Sequence, residues 1–190
     1  MKKAFFVVIA AIFLTIFTTC QKKEAEPNIL IAYFSHTGNT KAVAEYIQSS
    51  VGGDLAEIKT ADPYTDDRDA LLEQGREELA NNIRPPLASK VENIEKYDII
   101  FIGFPIWFST TPMAILTFLE THDLSGKTIV PFSTRGGGDI GQSVERVKEA
   151  SPNSVVVDGF HDINRANFSQ AAELTAAWMK DFDAKKLMRK

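Results

Sequence analysis

The feature that most constrains the fold is a fivefold alternation of short apolar segments with stretches of helical periodicity. The predicted strands are the apolar segments at 28–34, 54–59, 97–103, 127–133 and 154–158. The predicted helices are the periodic stretches at 40–50, 66–83, 112–121, 139–150 and 168–184. Strands that alternate with helices in this way favour a doubly wound parallel sheet, which is an α/β fold.

The composition of the strands supports a parallel sheet. Three of them are nearly continuous apolar segments rich in Ile and Val, which is typical of parallel strands covered by helices on both faces. We therefore expect five parallel strands between two helical layers. In such sheets the crossovers are right-handed and ligands bind beyond the carboxyl ends of the strands. We therefore expect a site at the loops that follow the first, third and fourth strands, which are residues 35–40, 104–112 and 134–139.

The first nineteen residues, MKKAFFVVIAAIFLTIFTT, differ from the rest of the chain. Two lysines precede an apolar run that is short for a membrane span, and this pattern is typical of a secretory signal peptide. The run is followed by Cys20, the only cysteine in the chain, and then by the polar segment QKKEAEP (21–27). A cysteine in this position resembles the lipobox of bacterial lipoproteins.

The domain organisation follows from this resemblance. We expect a signal peptide of lipoprotein type at 1–19 and a tether at 20–27, with a lipid on Cys20 that anchors the exported chain to a bacterial membrane. The location would then be periplasmic or on the cell surface. Residues 28–190 contain no second linker and no repeat, so they form one predicted domain.

Composition excludes several classes of protein. The chain has 190 residues, of which 44% are hydrophobic and 24% charged, as in ordinary globular proteins. Its formal net charge is -4 and it has no basic stripe, which argues against a nucleic-acid partner. A single cysteine provides neither an internal disulfide framework nor a CxxC redox pair. Any redox chemistry therefore has to come from a bound cofactor.

The loop after the first strand, SHTGNT (35–40), combines three hydroxyl side chains with one glycine at the predicted start of a helix. The backbone N–H groups at a helix N-terminus and the helix dipole bind anions without help from cationic side chains. The same residues also suit ordinary helix capping. From the residues alone, phosphate binding and capping both remain open.

Three loops together resemble the flavodoxins. The pattern S-x-T-G-N-T is similar to their phosphate loop for flavin mononucleotide (FMN), and GFPIWFSTTP (103–112) resembles the G-[YF]-P-I-W loop of one flavodoxin-like branch. The segment FSTRGGGDIGQSV (132–144) is similar to the glycine-rich segment of that branch. The resemblance extends over residues 28–182. It implies the flavodoxin-like strand order 2-1-3-4-5, a three-layer sandwich and FMN as the cofactor.

The resemblance also implies which residues contact the cofactor. The phosphate contacts would be Ser35, His36, Thr37, Gly38, Asn39 and Thr40. The contacts from the third-strand loop would be Pro105, Ile106, Trp107 and Phe108. The contacts from the fourth-strand loop would be Ser133, Thr134, Arg135, Gly136 and Gly137.

Two of these residues have particular implied roles. The indole of Trp107 would stack on the flavin ring, with a plain core residue as the lower-ranked alternative for a tryptophan in FPIWF. Arg135 would stabilise negative charge near N1 and O2 of the reduced flavin, and an exposed surface arginine without that role is the alternative of equal weight. The fourth-strand loop lacks the aromatic residue that many flavodoxins have there, so one face of the flavin is expected to be open or covered by small residues.

The sequence also contains one motif of another site type and lacks the signatures of several others. The segment GGGDIG (136–141) fits the dinucleotide-binding pattern G-x-G-x-x-G and is followed by Asp158 at the end of the next predicted strand. A receiver domain would need acidic residues where Ser35 and Gly103 stand. No G-x-S-x-G, H-E-x-x-H or Cys/His cluster is present, so hydrolase and metal chemistry lack support and no metal or catalytic side chain is expected.

The flavin itself would therefore carry the chemistry, and the sequence predicts an FMN-binding electron-transfer protein. An NAD(P)H-dependent FMN-containing quinone or flavin reductase is the alternative, and a non-catalytic flavin-binding protein ranks below both. The implied partner is a redox protein or a small-molecule electron donor or acceptor, with the membrane contacted through Cys20. The segment at 60–90 is interpreted as a surface helix followed by a loop.

Overall fold

The computed structural model describes residues 26–187, so the predicted signal peptide and Cys20 lie outside the described residues. The strands are β1 (Ile29–Tyr33), β2 (Asp54–Glu57), β3 (Ile99–Pro105), β4 (Thr128–Arg135), β5 (Val155–Val156) and β6 (Phe160–Asn164). The helices are α1 (Asn39–Val51), α2 (Arg68–Ala80), α3 (Met113–Thr121), α4 (Ser143–Ala150), α5 (Ala171–Lys180) and α6 (Ala184–Leu187). None of the helices between residues 26 and 187 has the length and apolar character that crossing a membrane requires.

The strands form one parallel sheet in the order β2-β1-β3-β4-β5. This order confirms the predicted doubly wound fold. A sixth strand, β6, was not predicted, and it also pairs with β4 in parallel. The sheet therefore continues along β4 toward its carboxyl end, beyond the two residues of β5.

Alternation along the strands divides the core into two apolar layers. Ile29, Ile31 and Phe101 face α1 and α5, whereas the intervening residues Leu30 and Ile100 face the layer that contains α3. Successive side chains of a strand point to opposite faces, so continuous apolar runs are needed to fill both layers. Each fully buried side chain of this size contributes about 1.5–3 kcal/mol of transfer free energy. The predicted three-layer sandwich is thus confirmed.

The edge of the sheet beside β4 is divided into β5 and β6 because β4 contains a proline. Val157 donates its N–H to the carbonyl of Ile129 at 3.0 Å, and the next N–H on that side of β4 would come from residue 131. Pro131 has no N–H, so the ladder stops there. Beyond it, Gly159 passes so close to Pro131 that a Cβ would overlap the Pro131 carbonyl. Pairing resumes at Phe160, opposite Phe132.

Two predicted helices begin later than expected. Helix α4 starts at Ser143 instead of residue 139, because Gly141 has a φ of 50°, which a right-handed helix does not allow. Helix α5 starts at Ala171 after a 3₁₀ turn at Phe168–Gln170. The consequence in both cases is an irregular loop at the carboxyl edge of the sheet, where the side chains of a site can gather.

Candidate functional site

A cavity of about 490 Å³ lies beyond the carboxyl ends of the strands, where a ligand is expected in this topology. Eight of the fifteen predicted contact residues line it: Thr37, Asn39, Pro105, Ile106, Trp107, Thr134, Arg135 and Gly136. Four further lining residues were not predicted: Ile163, Asn164, Arg165 and Phe168. Another cavity, of about 550 Å³, lies along edge strand β2 and contains none of the predicted contacts. The convergence of three loops favours the first cavity as the functional site.

The first loop presents free backbone donors to this edge of the sheet. Gly38 has a φ of 87° and precedes α1 as its N-cap residue, without a side-chain cap. Within residues 26–187, the N–H groups of Gly38, Asn39 and Thr40 have no hydrogen-bond acceptor. Thr37, Gly38 and Asn39 are exposed, so an anion can reach these groups. The geometry is that of an anion site at a helix N-terminus.

Two hydroxyl groups of this loop are used to hold the protein together. The Ser35 Oγ accepts a hydrogen bond from the Lys41 N–H at 3.2 Å, which caps α1 from outside the cavity. The buried Thr40 Oγ1 lies 2.9 Å from the Thr134 Oγ1. This second contact ties the start of α1 to the end of β4, and it fixes the spacing between two of the loops that form the cavity. Neither Ser35 nor Thr40 lines the cavity itself.

The third-strand loop is a tight turn with unusual backbone angles. Trp107 and Thr110 exchange two backbone hydrogen bonds at 3.0 and 2.9 Å, and the residues between them, Phe108 and Ser109, have φ of 51° and 55°. Non-glycine residues in this left-handed region cost of order 1–3 kcal/mol each, which the surrounding structure must offset. The turn directs Phe108 away from the cavity and toward α2, where the Arg76 guanidinium lies 5.7 Å from its ring.

Trp107 lines the cavity and also belongs to an aromatic cluster. Its ring meets Phe34, Tyr64 and His36 edge to face, with centroid distances of 5.4, 5.1 and 6.4 Å. The half-buried indole therefore takes part in the core and also forms part of the cavity wall. His36 contacts Trp107 and lines a neighbouring cavity with Ser35 and Tyr64 instead of the central one.

The fourth-strand loop supplies a cation and small residues. The Arg135 guanidinium donates to the Gly138 carbonyl at 3.0 Å and lines the cavity beside Gly136. Gly137 is exposed and does not line it. Ser133 is fully buried, since its side chain points into the layer below and lies 2.8 Å from His161 Nδ1. Ser133 is therefore placed beneath the loop and away from the cavity surface.

His161 is half-buried beneath this loop. Burial lowers the pKa of its imidazole, while the nearby carboxylate of Asp162 acts in the opposite direction to a smaller extent. Its second ring nitrogen, Nε2, is buried and has no hydrogen-bond partner among the described residues. The neutral imidazole is thus the favoured form in the folded protein.

The loop after β6 completes the cavity. The Arg165 N–H donates to the Arg135 carbonyl at 3.0 Å, which continues the β4–β6 pairing, and Phe168 contributes a half-buried ring. An aromatic residue from this loop therefore lines the cavity, although the fourth-strand loop supplies none. The sequence signal for strand β6, which leads into this loop, is weak. Its buried residues Phe160 and Ile163 are three positions apart and do not alternate as in a regular strand.

The charge of the lining residues is one-sided. Arg135 and Arg165 are cationic, and none of the twelve lining residues is acidic. Between residues 26 and 187 there is also no group of three or more His, Cys, Asp or Glu that could hold a metal ion. Together with the free N–H groups of α1, the cavity suits an organic anion with a flat apolar portion.

The alternative of a dinucleotide site at GGGDIG is not supported. The glycines lie in the loop before α4, and the helix begins only at Ser143. A Cβ at Gly141 would overlap the Ser109 carbonyl, and the N–H of Gln142 donates to the same carbonyl at 3.1 Å. Gly141 therefore permits packing against the third-strand loop, which is a structural role.

The strand order β2-β1-β3-β4-β5 and a cavity beyond strands β1, β3 and β4 define a protein with the flavodoxin-like fold. The sequence model of the flavodoxin family matches residues 28–182, so the chain belongs to that family. No curated protein shows significant similarity to it.

Solved structures resemble the chain over most of its length. A candidate flavoprotein from Bacteroides eggerthii is 39% identical with a TM-score of 0.70, and the match covers 81% of this chain and 96% of that one. For a candidate flavoprotein from Bacteroides uniformis the identity is 32%, the TM-score 0.71 and the coverage 83% and 100%. A flavoprotein from Lactobacillus acidophilus, solved in complex with FMN, is 23% identical with a TM-score of 0.65 and coverage of 77% and 99%, a likeness of fold alone.

Proposed function

We propose that the protein binds FMN in the cavity beyond strands β1, β3 and β4 and acts as an electron-transfer protein. The observation that carries this proposal is one cavity lined by the Trp107 indole, two arginines and Asn39, with no carboxylate among its described lining residues. The free N–H of Asn39 and those of its neighbours Gly38 and Thr40 lie at the start of α1, at the same edge. Membership of the flavodoxin family supports it. The FMN complex of the Lactobacillus acidophilus protein adds a precedent within the same fold.

The residues present fit the parts of FMN. The N–H groups of Gly38, Asn39 and Thr40 would hold the phosphate, with Thr37 and Asn39 side chains at the same end of the cavity. Trp107 would lie against the ring, and the Ile106 side chain would exclude water beside it. The cavity volume of about 490 Å³ is within the range of cofactor sites. In this proposal the G-[YF]-P-I-W loop contacts the ring of the flavin.

The chain's own residues would control the charge around the cofactor. When bound, the flavin supplies the redox chemistry, namely the acceptance and release of electrons. Arg135 and Arg165 place positive charge at the cavity, which favours a more negatively charged reduced state. The Thr40–Thr134 contact holds the phosphate end and the arginine end at a fixed distance. The protein thereby binds, orients and tunes the cofactor.

A reductase that uses NAD(P)H is the second candidate, and one observation favours it. Gly136, Gly137 and Gly138 are exposed and have no side chains that could cover the mouth of the cavity. A small planar donor or a quinone could therefore approach a bound ring from that side. In an electron carrier, the same open edge would face a redox protein.

The first experiment is titration of the purified protein with FMN, followed by flavin fluorescence and absorption. We expect quenched fluorescence and saturation at micromolar or lower concentration, and absence of binding would refute the proposed function. The holoprotein is then mixed with NADH or NADPH and a quinone. Turnover assigns the protein as a reductase. Inertness toward nicotinamides, with stepwise one-electron reduction in a redox titration, assigns it as a carrier.

We further propose that the chain is exported and anchored by a lipid on Cys20, with residues 21–27 as a tether. The basic and apolar pattern of residues 1–19 and the position of the single cysteine support this proposal. The test is metabolic labelling with a radioactive fatty acid in bacteria that express the chain. The Cys20→Ser variant is expected to lose the label and the membrane fraction, and labelling that persists in this variant would contradict the assignment.

A further inference from the structure

Helix α2, interpreted from the sequence as a surface helix, contains a buried carboxylate. Glu78 is only 5% exposed, and its Oε2 accepts a hydrogen bond from the Tyr64 hydroxyl at 2.7 Å. The other oxygen, Oε1, accepts from the Gln74 side-chain amide at 3.1 Å. A buried carboxylate is costly unless its oxygens are hydrogen-bonded, and here each oxygen has one partner. This arrangement needs an explanation, because an apolar residue would fill the same space at less cost.

The hydrogen bond fixes a ring that supports the wall of the cavity. The Tyr64 ring lies 5.1 Å from the Trp107 ring at an interplanar angle of 87°, and 5.5 Å from the Phe34 ring. Phe34 in turn meets Trp107 at 5.4 Å and 88°. The three rings therefore form a closed triangle of edge-to-face contacts, which is a favourable arrangement for aromatic pairs. Only Trp107 of the three lines the cavity.

The same helix contacts the third-strand loop at a second point. A Cβ at Gly75 would lie 2.9 Å from the Phe108 ring and 3.7 Å from the Trp107 ring, so the glycine gives these rings room to pack on the helix. Gly75 and Glu78 are one turn apart on the buried side of α2. Helix α2 thus supports the loop that carries Trp107 in two ways. Gly75 contacts the loop directly, and Glu78 contacts it indirectly by holding Tyr64 against Trp107.

We propose that Tyr64 and Glu78 are positioning residues, which hold the Trp107 indole in the orientation needed to pack against the ring of a bound flavin. This inference rests on the proposed FMN site. The Tyr64 hydroxyl is locked by Glu78, so its ring cannot swing away from the indole. The strained turn at Phe108 and Ser109 makes such support necessary, because that backbone persists only where its surroundings fix it.

The ionisation state of Tyr64 is consistent with this role. Burial, and then the hydrogen bond to the Glu78 carboxylate, raise the pKa of the Tyr64 phenol far above its ordinary value of 10.0. The phenol therefore remains protonated at neutral pH and can donate the hydrogen bond. The carboxylate acts only as the acceptor.

The first test measures the mobility of Trp107 without any flavin. The only other tryptophan, Trp178, is replaced by Phe, so that time-resolved fluorescence anisotropy reports Trp107 alone. We expect Tyr64→Ala and Glu78→Leu to increase the fast loss of anisotropy. Glu78→Gln should show a decay close to that of the wild type, because the amide oxygen still accepts the hydrogen bond. The matched control is Glu77→Leu, which changes the exposed neighbour on the same helix. Equal anisotropy decays in all variants would overturn the proposal.

The second test is a double-mutant cycle on FMN affinity. Tyr64→Ala is made in the wild-type chain and in a Trp107→Ala chain. If Tyr64 acts through Trp107, Tyr64→Ala in the wild-type chain lowers the FMN affinity about 2- to 10-fold, as expected for an aromatic pair. In the Trp107→Ala chain, the same substitution changes the affinity hardly at all. Equal losses in the two chains would indicate general destabilisation and overturn the proposal.

The two tests separate this proposal from the proposed function. A wild-type chain that fails to bind FMN refutes the FMN site, whereas the anisotropy result on the flavin-free protein still reports whether Tyr64 and Glu78 hold Trp107. Conversely, tight FMN binding with unchanged anisotropy in Tyr64→Ala retains the site and rejects the positioning role. Thermal unfolding of each variant checks that the comparison is made between folded chains.

Discussion

The glycine of the GFPIW segment is expected to be indispensable for stability, for a reason unrelated to the loop. Gly103 pairs with Phe132 of the neighbouring strand, and a Cβ at residue 103 would lie within 2.7 Å of three carbons of the Phe132 ring. Ordinary contacts between carbon atoms are about 3.5–4.0 Å, and the nearest ring carbon would be 2.1 Å from the new Cβ, so Gly103→Ala requires the ring to move by roughly 1.5 Å. Phe132 is 0% exposed, and the surrounding core leaves no space for that movement.

The expected cost follows from overpacking. Extra methyl groups in packed cores destabilise proteins by about 1–3 kcal/mol. We expect Gly103→Ala to lie at the upper end, about 3 kcal/mol, because the ring is buried on all sides and the added atom meets it directly. For a domain of this size that corresponds to a fall in Tm of about 6–12 °C. The measurement is thermal unfolding of the flavin-free protein, followed by circular dichroism.

A matched control and a rescue variant make this prediction specific. No heavy atom of the described residues lies within 4 Å of a Cβ built on Gly137, so Gly137→Ala should change the free energy of unfolding by less than about 0.5 kcal/mol. Phe132→Leu, placed in the Gly103→Ala chain, removes the ring that obstructs the methyl group. The double variant should lose at least about 1 kcal/mol less free energy of unfolding than the two single variants lose together. Additive effects, or a Gly103→Ala chain with an unchanged Tm, would refute the reasoning.

Three further predictions concern the site. Trp107→Ala should weaken FMN binding by about 1–3 kcal/mol, measured by fluorescence titration, and an unchanged Kd would contradict the stacking role. Arg135→Ala and Arg165→Ala should each shift the flavin midpoint to more negative potential, whereas Arg68→Ala, on the exposed start of α2, should not. Burial lowers the folded-state pKa of His161 below its ordinary 6.5, so the unfolded chain takes up the proton first. Stability from this group is therefore complete above pH 6.5 and is lost as the pH falls below it. Urea unfolding at pH 7.5 and 5.5 measures this effect. Between the two pH values, the free energy of unfolding should fall less for His161→Asn than for the wild type, and an equal fall would argue against this linkage.

The fold was predictable because its strongest signals are local and repeated. Segments such as YDIIFIG are too short and too apolar for a surface helix, and their alternation with helical stretches leaves few topologies. Strand β6 could not be predicted in the same way. Its pairing depends on Pro131, which lies some thirty residues earlier and interrupts the ladder between β4 and the edge. Predicting this interruption requires knowing which strands are neighbours in the sheet.

The site was predictable at the level of loops and less so at the level of side chains. Three residues of the third-strand loop line the cavity, yet the turn at Phe108 and Ser109 directs Phe108 toward α2. Nothing in a sequence of ordinary residues indicates positive φ at two successive non-glycine positions. Likewise, Glu78 has the appearance of an exposed helix residue until its contact with Tyr64 is known.

The hydroxyl residues show most clearly what a motif leaves undecided. Ser35, Thr40 and Ser133 are all small polar residues in the predicted contact segments, but each has its hydroxyl engaged within the protein, with Lys41, Thr134 and His161 respectively. An anion at the start of α1 is therefore left mainly with backbone N–H groups and the side chains of Thr37 and Asn39. Backbone donors survive every substitution except one by proline, and they remain charge-neutral at every pH. The affinity for a phosphate should accordingly depend more on the conformation of the loop, which Gly38 and the Thr40–Thr134 contact maintain, than on any single hydroxyl.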